Sequence, residues 1–166
     1  GTSPAQNVVV NALPTAAITS ANSATSFCTG SSLTLSAPAG MTGYQWKLDG
    51  TTISGATSAS YSAAAAGSYT VLITNASGCT SLSAGFTVTE NALPTAAVSA
   101  LSSTTFCQGD SVVLSAPAGY TYLWSNGATT QSITASTAGT YSVAVTNASG
   151  CSVTSSPVTV TVNYIP

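Results

Sequence analysis

Apolar and polar residues alternate along several short stretches of this chain. Residues 33–36 read LTLS, residues 69–74 read YTVLIT and residues 158–162 read VTVTV. An alternation with period two puts every second side chain on one face of a β-strand, whereas an amphipathic helix repeats about every 3.6 residues. No stretch combines the helical period with helix-capping residues. The pattern therefore predicts an all-β chain of half-buried antiparallel strands.

Turn-forming residues separate the alternating stretches at regular intervals. The sequence A-P-A-G occurs at 37–40 and 116–119, D-G at 49–50 and N-G at 126–127. Glycine and asparagine tolerate the left-handed backbone that tight hairpin turns require. Several short strands with turn signals at this spacing are typical of a β-sandwich.

The chain contains the same sequence pattern twice. Residues 11–18 (NALPTAAI) return as 91–98 (NALPTAAV), and residues 74–79 (TNASGC) return unchanged as 146–151. The second copy is shorter between its tryptophan and its later tyrosine, which predicts a shortened connection on one edge and not a different fold. Self-similarity over this length indicates tandem modules.

We therefore expect two tandem antiparallel β-sandwiches, over residues 11–90 and 91–166, joined by a short proline-containing linker. Residues 6–14 (QNVVVNALP) align with residues 158–166 (VTVTVNYIP). The alignment predicts that residues 1–10 are the last strand of a preceding repeat or an N-terminal extension.

Both copies resemble the immunoglobulin-like fold. Each has a strand of the form G-x-x-hydrophobic-x-hydrophobic, then a tryptophan in the next predicted strand, then the motif A-G-x-Y. The resemblance implies that Trp46 and Trp124 lie in the two cores and that Tyr69 and Tyr141 are tyrosine-corner residues. The positions of the inter-sheet cysteines of antibody domains hold other residues here: Ala37, Val71, Ala116 and Val143.

A closer resemblance covers about residues 11–163. The motifs C-x-G-x-S-hydrophobic-x-L-S-A and A-G-T-Y-x-V-x-V-T-N-x-x-G-C resemble the Ig-like and PKD-like repeats of very large type IX-secreted surface proteins of Bacteroidota, including gliding-motility adhesins. This resemblance implies an extracellular or cell-surface location and neighbouring repeats of the same protein as partners. The acidic W-D-F-G-D-G signature of PKD modules is absent, which favours the Ig-like description.

Charge is almost missing from the chain. The charged side chains are Lys47, Asp49, Glu90 and Asp110, and there is no histidine. Nucleic-acid binding needs clustered Lys and Arg, and catalysis needs groups that transfer protons or attack a substrate. We therefore expect no enzyme activity, no metal site, no cofactor and no nucleic-acid partner. No apolar run is long enough for a transmembrane helix, so we expect no membrane insertion either.

Four cysteines occupy equivalent places in the two copies. Buried thiols, metal ligands and disulfides are the three interpretations of such cysteines. Zinc is disfavoured because the chain has no C-x-x-C and no histidine. Equivalent placement favours two disulfides, Cys28–Cys79 and Cys107–Cys151, and hence an oxidising extracellular setting.

Two further surface chemistries follow from local sequence. Tyr44, Trp46, Tyr122 and Trp124 form either core or a stacking platform for sugar rings, and strand parity favours the core. The N-A-S sequons at Asn75 and Asn147 indicate N-glycosylation or simply a turn. Ser111 lies in a D-S-V tripeptide that resembles the short O-glycosylation motif of Bacteroidota.

Three functions are compatible with these features. The first is a non-catalytic structural segment of an extracellular stalk or adhesin, in which prolines at the linkers limit bending. The second is a self-assembling fibre subunit, because a charge-poor surface and the strand-like residues 1–10 favour homotypic association. The third, lesser one is a glycan-binding module. The external ligand is not encoded in any motif of this sequence.

Overall fold

The computed structural model describes residue 4 and residues 6–164. The chain divides into two compact units, residues 1–90 and 91–166, which are called repeat 1 and repeat 2 below. The division falls where the second copy of N-A-L-P-T begins. Apart from one three-residue 3-10 turn at Ala21–Ser23, every regular element formed by these residues is a strand, so the all-β fold class is confirmed.

The described residues of repeat 1 form nine strands, the last of which extends one residue past Glu90. They are β1 (Thr19–Ser20), β2 (Ser26–Cys28), β3 (Leu33–Ser36), β4 (Gly43–Leu48), β5 (Thr51–Thr52), β6 (Ser60–Ala63), β7 (Gly67–Thr74), β8 (Thr80–Leu82) and β9 (Phe86–Asn91). One sheet has the order β1-β3-β6, and the other has the order β2-β9-β7-β4-β5, with β8 also paired to β7. This is the strand order of an immunoglobulin-like sandwich, in which the first strand divides between the two sheets.

Repeat 2 reproduces the arrangement with one strand position missing. Its strands are β10 (Ser99–Ala100), β11 (Thr105–Cys107), β12 (Val112–Ser115), β13 (Thr121–Trp124), β14 (Ser132–Ala135), β15 (Gly139–Tyr141), β16 (Val143–Thr146), β17 (Ser152–Thr154) and β18 (Val158–Asn163). The order β10-β12-β14 forms one sheet. The other is interrupted at Ser142 into β11-β18-β15 and β13-β16-β17. No strand in the described part of repeat 2 corresponds to β5, because the connection after Trp124 is the shortened one.

Each repeat has its own apolar core between its two sheets. In repeat 1 the core holds Leu35, Trp46, Tyr69, Val71 and Ile73, all fully or almost fully buried. The equivalent core of repeat 2 is built around Leu114, Trp124, Tyr141, Val143 and Val145. These residues occupy the inward positions of the alternating stretches, so the period of two directly determines which side chains are buried.

Residues 1–10 differ from their expected structure. Residues 6–10 belong to no strand, and the side chains of Val8, Val9 and Val10 are 78–90% exposed. Residues 1–3 and 5 lie outside the described residues. In repeats 1 and 2 the equivalent sequence is a strand because it lies between two neighbours, as β18 lies between β11 and β15. Residues 6–10 have no such pair of neighbouring strands, which accounts for the difference.

Candidate functional site

The charged residues do not form a site. Asp49 accepts a hydrogen bond from the backbone N–H of Ser68 at 2.8 Å and so supports a turn. Glu90 and Asp110 are exposed in different repeats. Within the described residues, no three His, Cys, Asp or Glu side chains lie close enough together to hold a metal ion. Over the same residues, no helix has the length and apolar character to cross a membrane.

The polar groups that do converge lie around one turn of repeat 1, residues 75–79. The Asn75 side-chain oxygen accepts hydrogen bonds from the backbone N–H groups of Ser77 and Cys79, at 3.1 and 2.9 Å. The Asn75 amide nitrogen donates to the carbonyl of Ala12 at 2.9 Å. One side chain thus folds the turn and also holds the segment through which the chain enters the repeat.

Repeat 2 contains the same turn at residues 147–151. Asn147 accepts from Ser149 and Cys151, each at 3.0 Å, and donates to the carbonyl of Ala92 at 2.9 Å. We call residues 11–12 with 75–79, and residues 91–92 with 147–151, the entry ends of the two repeats. The conserved geometry gives the motif T-N-A-S-G-C a structural role in both copies.

Each entry end also positions a cysteine against the entering chain. The sulfur of Cys79 lies 3.9 Å from the carbonyl oxygen of Asn11. The sulfur of Cys151 lies 3.8 Å from the carbonyl oxygen of Asn91. The two sulfurs therefore have matching surroundings within their own repeats.

The other two cysteines lie at the opposite end of each sandwich, which we call the exit end. In repeat 2, Cys107 ends β11 and is paired in parallel register with Asn163, the last residue of β18. Strand β18 pairs with β15 through Gly139 and Val160, so Asn163 lies beyond the start of β15. In repeat 1, Cys28 ends β2, which is the neighbour of β9 in the same way.

The predicted disulfides Cys28–Cys79 and Cys107–Cys151 are corrected by this arrangement. Cys79 and Cys107 carry free thiols, whereas Cys28 and Cys151 are disulfide-bonded. The eight residues of β7 run between the two ends of repeat 1 and span roughly 25 Å at about 3.3 Å per residue. Disulfide-bonded cysteines need Cα atoms within about 7 Å, so neither predicted pair can form inside a folded repeat.

The tryptophans and tyrosines predicted as a possible sugar platform pack within the two repeats and form hydrogen bonds to backbone carbonyls. The side chains of Trp46 and Trp124 are 0% and 2% exposed, and their ring nitrogens donate to the carbonyls of Ser58 and Thr130, each at 2.8 Å. The hydroxyl groups of Tyr44 and Tyr122 donate to the carbonyls of Pro38 and Pro117. Buried indole rings present no face to a ligand, so the tryptophans cannot form a sugar-stacking platform.

The tyrosines of the A-G-x-Y motif form the hydrogen bonds of a tyrosine corner. The Tyr69 hydroxyl donates to the carbonyl of Ala65 at 2.9 Å. The Tyr141 hydroxyl donates to the carbonyl of Thr137 at 3.1 Å. In each repeat this bond fixes the turn that precedes the long central strand.

Two buried serines are part of the framework and were missed by sequence reasoning. The Ser83 hydroxyl accepts from the backbone N–H of Val71 at 3.0 Å and donates to the carbonyl of Ala84 at 2.9 Å. In repeat 2, the Ser155 hydroxyl accepts from Val143 at 3.1 Å. The sequence offered one indication of them, because each serine follows the second cysteine of its repeat, Cys79 or Cys151, at the same spacing.

The predicted glycosylation residues lie at the surface or close to it. Asn75 and Asn147 are half-buried and use both amide atoms in the turns described above. The turn interpretation therefore accounts for both N-A-S sequences without a sugar. Ser111 is exposed directly before β12, so glycosylation there stays a prediction.

Repeat 1 carries a shallow depression of about 310 Å³ next to its longer connection. It is lined by residues 53–58 and 60–62, which include the ring of Tyr61 and otherwise small or aliphatic side chains. The Tyr61 ring stacks on Trp46 with ring centres 5.9 Å apart, so one of its faces is already used. The lining contains no charged group and no nucleophile other than serine and threonine hydroxyls.

Solved structures similar to this chain were found, but no protein-family model and no curated protein sequence matches it. The chain is similar to the fibronectin(III)-like modules of Clostridium thermocellum CbhA (13% identity, 89% of this chain, 94% of that chain, TM-score 0.46). It is also similar to murine CEACAM1b (13% identity, 90% of this chain, 100% of that chain, TM-score 0.39). A third similar structure is that of the amphioxus IgVJ-C2 molecule (16% identity, 82% of this chain, 99% of that chain, TM-score 0.35). At TM-scores this low, the strand order within each repeat is what assigns the immunoglobulin-like fold.

Proposed function

We propose that this chain is a non-catalytic structural segment of an extracellular stalk or adhesin. The observation that carries the proposal is the entry end, where Asn75 holds Ala12 and Asn147 holds Ala92 in the same way. Side chains that hold the incoming backbone to a turn would stiffen the attachment of a module to the chain before it. The same hydrogen bond from the asparagine side chain to the entering backbone occurs in both repeats, as expected if it serves a structural role common to them.

The position of the exit end supports the same function. In repeat 2 the chain leaves through β18, which is hydrogen-bonded to β11 in parallel register from Thr161 to Asn163 and to β15 on its other side. A pulling force between entry and exit would act along these strands, so several hydrogen bonds would have to break together. Such a geometry suits a module that transmits tension.

The chemistry of the side chains also favours a structural role. The hydroxyl, amide and indole groups described above are bonded to backbone atoms, and no buried side-chain nitrogen or oxygen among the described residues lacks a hydrogen-bond partner. Catalytic sites, in contrast, concentrate ionisable groups with perturbed pKa values in a cleft. The disulfide-bonded Cys28 and Cys151 favour an oxidising compartment outside the cell. The Bacteroidota-type repeat motifs support secretion through the type IX pathway as the finer form of the proposal.

A second candidate, self-assembly into a fibre, is favoured by one observation. Val8, Val9 and Val10 are exposed, and their sequence is equivalent to that of the strands β9 and β18. An exposed strand-forming segment can pair with the sheet edge of another molecule. The partner in that case would be a second copy of the chain.

Static light scattering over a hundredfold concentration range, with reductant present, separates the two candidates. The structural-segment proposal expects a single chain at every concentration, both for the wild type and for a Val8→Ser, Val9→Ser, Val10→Ser variant. A mass that grows with concentration in the wild type and returns to one chain in the variant would overturn it in favour of the fibre. A mass that grows with concentration in the variant as well would also overturn the structural-segment proposal, and it would show that the chains associate through residues other than Val8, Val9 and Val10.

A further inference from the structure

We propose that the depression of repeat 1, lined by residues 53–58 and 60–62, binds one pyranose ring of an uncharged glycan. Tyr61 supplies the apolar contact to the sugar, and the serine and threonine hydroxyls of the lining supply the hydrogen bonds. The proposal is independent of whether the chain acts as a stalk or as a fibre subunit. It adds a binding function to repeat 1 that the sequence of repeat 2 does not support.

The connection that forms the depression is held in place before any ligand arrives. The backbone N–H of Trp46 donates to the carbonyl of Ala56 and that of Ile53 donates to the carbonyl of Trp46, each at 3.0 Å. The Gln45 side-chain amide also donates to the carbonyl of Ile53, at 2.8 Å. The Trp46 indole donates to the carbonyl of Ser58 at 2.8 Å. A preformed site loses little conformational freedom when it binds, which favours affinity.

Tyr61 presents an aromatic surface in the depression. Its half-buried ring stacks on Trp46 with ring centres 5.9 Å apart and lies 5.8 Å from the ring of Tyr69. These contacts fix the ring, because Trp46 and Tyr69 are themselves almost fully buried in the core. The part of Tyr61 that stays accessible belongs to the lining of the depression. The C–H groups on one face of a pyranose ring can pack on such a surface.

Hydroxyl groups share the lining with Tyr61. Ser54, Thr57, Ser58 and Ser60 line the depression and are exposed. A hydroxyl group both donates and accepts hydrogen bonds, as the hydroxyl groups of a sugar also do. The lining contains no charged residue, so an ionic ligand would lose hydration there without gaining an ion pair. An uncharged polyhydroxylated ligand is therefore the class that matches this chemistry.

The size of the depression sets the ligand at one sugar ring. Its volume of about 310 Å³ is near the lower end of the range of about 300–1,000 Å³ that is typical of small-molecule sites. Because the depression is shallow, the rest of a longer glycan would extend into solvent. We therefore expect weak binding of a single ring, with a dissociation constant on the order of 1 mM.

Repeat 2 is an internal comparison, because its sequence differs at the residues that form the site. Strand β14 pairs with β12 as β6 pairs with β3, which makes Ile133 the counterpart of Tyr61. In the shared Tyr-x-Trp sequence, Leu123 is the counterpart of Gln45 and has no amide to hold the connection. The connection after Trp124 is also the shorter one. We therefore expect sugar binding in repeat 1 alone.

Nuclear magnetic resonance of the isotope-labelled full chain tests the site. The probes are the methyl glycosides of glucose, galactose, mannose and N-acetylglucosamine. We expect at least one probe to shift the backbone amide signals of residues 53–62 saturably. The indole signal of Trp46 should move with them, because this group is bonded to Ser58, whereas the indole signal of Trp124 should stay in place. No saturable shift with any of these probes, or equal shifts in both repeats, would overturn the proposal.

Two substitutions test the roles of the ring and of the hydroxyls. Tyr61→Ile introduces the residue that repeat 2 carries and should weaken binding about tenfold, because the aromatic surface is lost. Thr57→Val keeps the shape of an exposed side chain and should weaken binding about threefold, because one hydroxyl is lost. The matched control Thr134→Val, at an exposed position of β14, should leave the affinity unchanged. Wild-type affinity in Tyr61→Ile, with its other amide signals in place, would overturn the proposal.

Discussion

The hydroxyl of Tyr69 donates a hydrogen bond to the carbonyl of Ala65, four residues earlier in the chain, at 2.9 Å. The ring of Tyr69 is 1% exposed and lies 5.8 Å from the ring of Tyr61. The bond closes the corner before β7 while the ring fills the core between the sheets. A single side chain thus connects turn geometry to core packing.

Burial raises the pKa of Tyr69 above its ordinary value near 10, and the neighbouring Tyr61 and Asp49 raise it further. Above pH 10 the unfolded chain therefore loses this proton while the folded chain keeps it. Because the folded state then binds more protons, its stability falls as pH rises. We expect the free energy of unfolding of repeat 1 to be constant with respect to this group below about pH 9 and to decrease above about pH 10.

Tyr69→Phe removes the titrating group and the corner bond together. At neutral pH we expect it to cost about 1 kcal/mol, because one intramolecular hydrogen bond is lost. Between about pH 10 and 12 its stability should decline less steeply than that of the wild type. Urea unfolding at stepped pH values measures both effects, with Tyr164→Phe, at a 72% exposed position, as the control. If the free energy of unfolding declines equally steeply with pH in the wild type and in Tyr69→Phe, the decline does not come from the Tyr69 hydroxyl.

The core residues could be predicted from the sequence because the alternation with period two and the A-G-x-Y motif are patterns of neighbouring residues. Val71 and Val143 are inward because each follows the tyrosine of its corner by two residues in extended backbone, and this spacing is read from the local sequence alone. The hydrogen bonds of Ser83 and Ser155 were not predictable in this way. Each depends on where a later strand approaches the central one, which is a tertiary relationship.

The prediction of the disulfides Cys28–Cys79 and Cys107–Cys151 was wrong for a related reason. Cys28 and Cys79 have matching counterparts in Cys107 and Cys151, and that equivalence suggested pairing within each copy. Equivalence between copies does not say at which end of the sandwich a residue lies. That information comes from the pairing of β11 with β18, a parallel contact between strands distant in sequence.

Gly67 and Gly139 occupy equivalent positions before the two tyrosines and should respond differently to alanine. Gly67 has φ of 149°, and a Cβ there would lie 2.5 Å from Leu48 and 2.9 Å from the Asp49 carboxylate. At Gly139 the nearest atom would be 3.9 Å away, in ordinary contact. Gly67→Ala should therefore cost roughly 2 kcal/mol or more through strain and crowding.

Gly139→Ala should be neutral or slightly stabilising, because alanine reduces the freedom of the unfolded chain. Hydrogen exchange read by mass spectrometry reports the two repeats separately in one sample. Loss of protection should appear in residues 60–74 of Gly67→Ala and should be absent from residues 132–146 of Gly139→Ala. Equal losses in the two variants would show that the contacts of Gly67 do not limit stability.

Ser83→Ala tests whether a buried hydroxyl supports the central strand. The side chain is 6% exposed, and its removal leaves the N–H of Val71 without that acceptor in the core. An unsatisfied buried donor costs about 1–3 kcal/mol. Ser155→Ala should behave alike in repeat 2, whereas Ser77→Ala, at an exposed turn position, should change little. Thermal unfolding of the three variants gives the comparison, and similar midpoints for all would contradict the role of the hydroxyl.

The entry-end clamp can be separated into its two halves with Asn75→Asp and Asn75→Ala. Aspartate keeps an oxygen that accepts from Ser77 and Cys79 but cannot donate to the carbonyl of Ala12, whereas alanine loses both functions. We expect Asn75→Asp to cost about 1 kcal/mol and Asn75→Ala more, up to about 3 kcal/mol. Asn147 offers the same pair of substitutions against Ala92 as an internal replicate.

The decisive readout is local, because the two halves of the clamp act on different segments. In Asn75→Asp, hydrogen exchange should accelerate in residues 11–14 while residues 75–79 stay protected. In Asn75→Ala, both segments should lose protection, since the turn loses the acceptor for two backbone N–H groups. If aspartate leaves residues 11–14 as protected as in the wild type, the bond to Ala12 does not hold the entering chain. In that case the stiff attachment on which the proposed stalk function rests would have no structural basis at this residue.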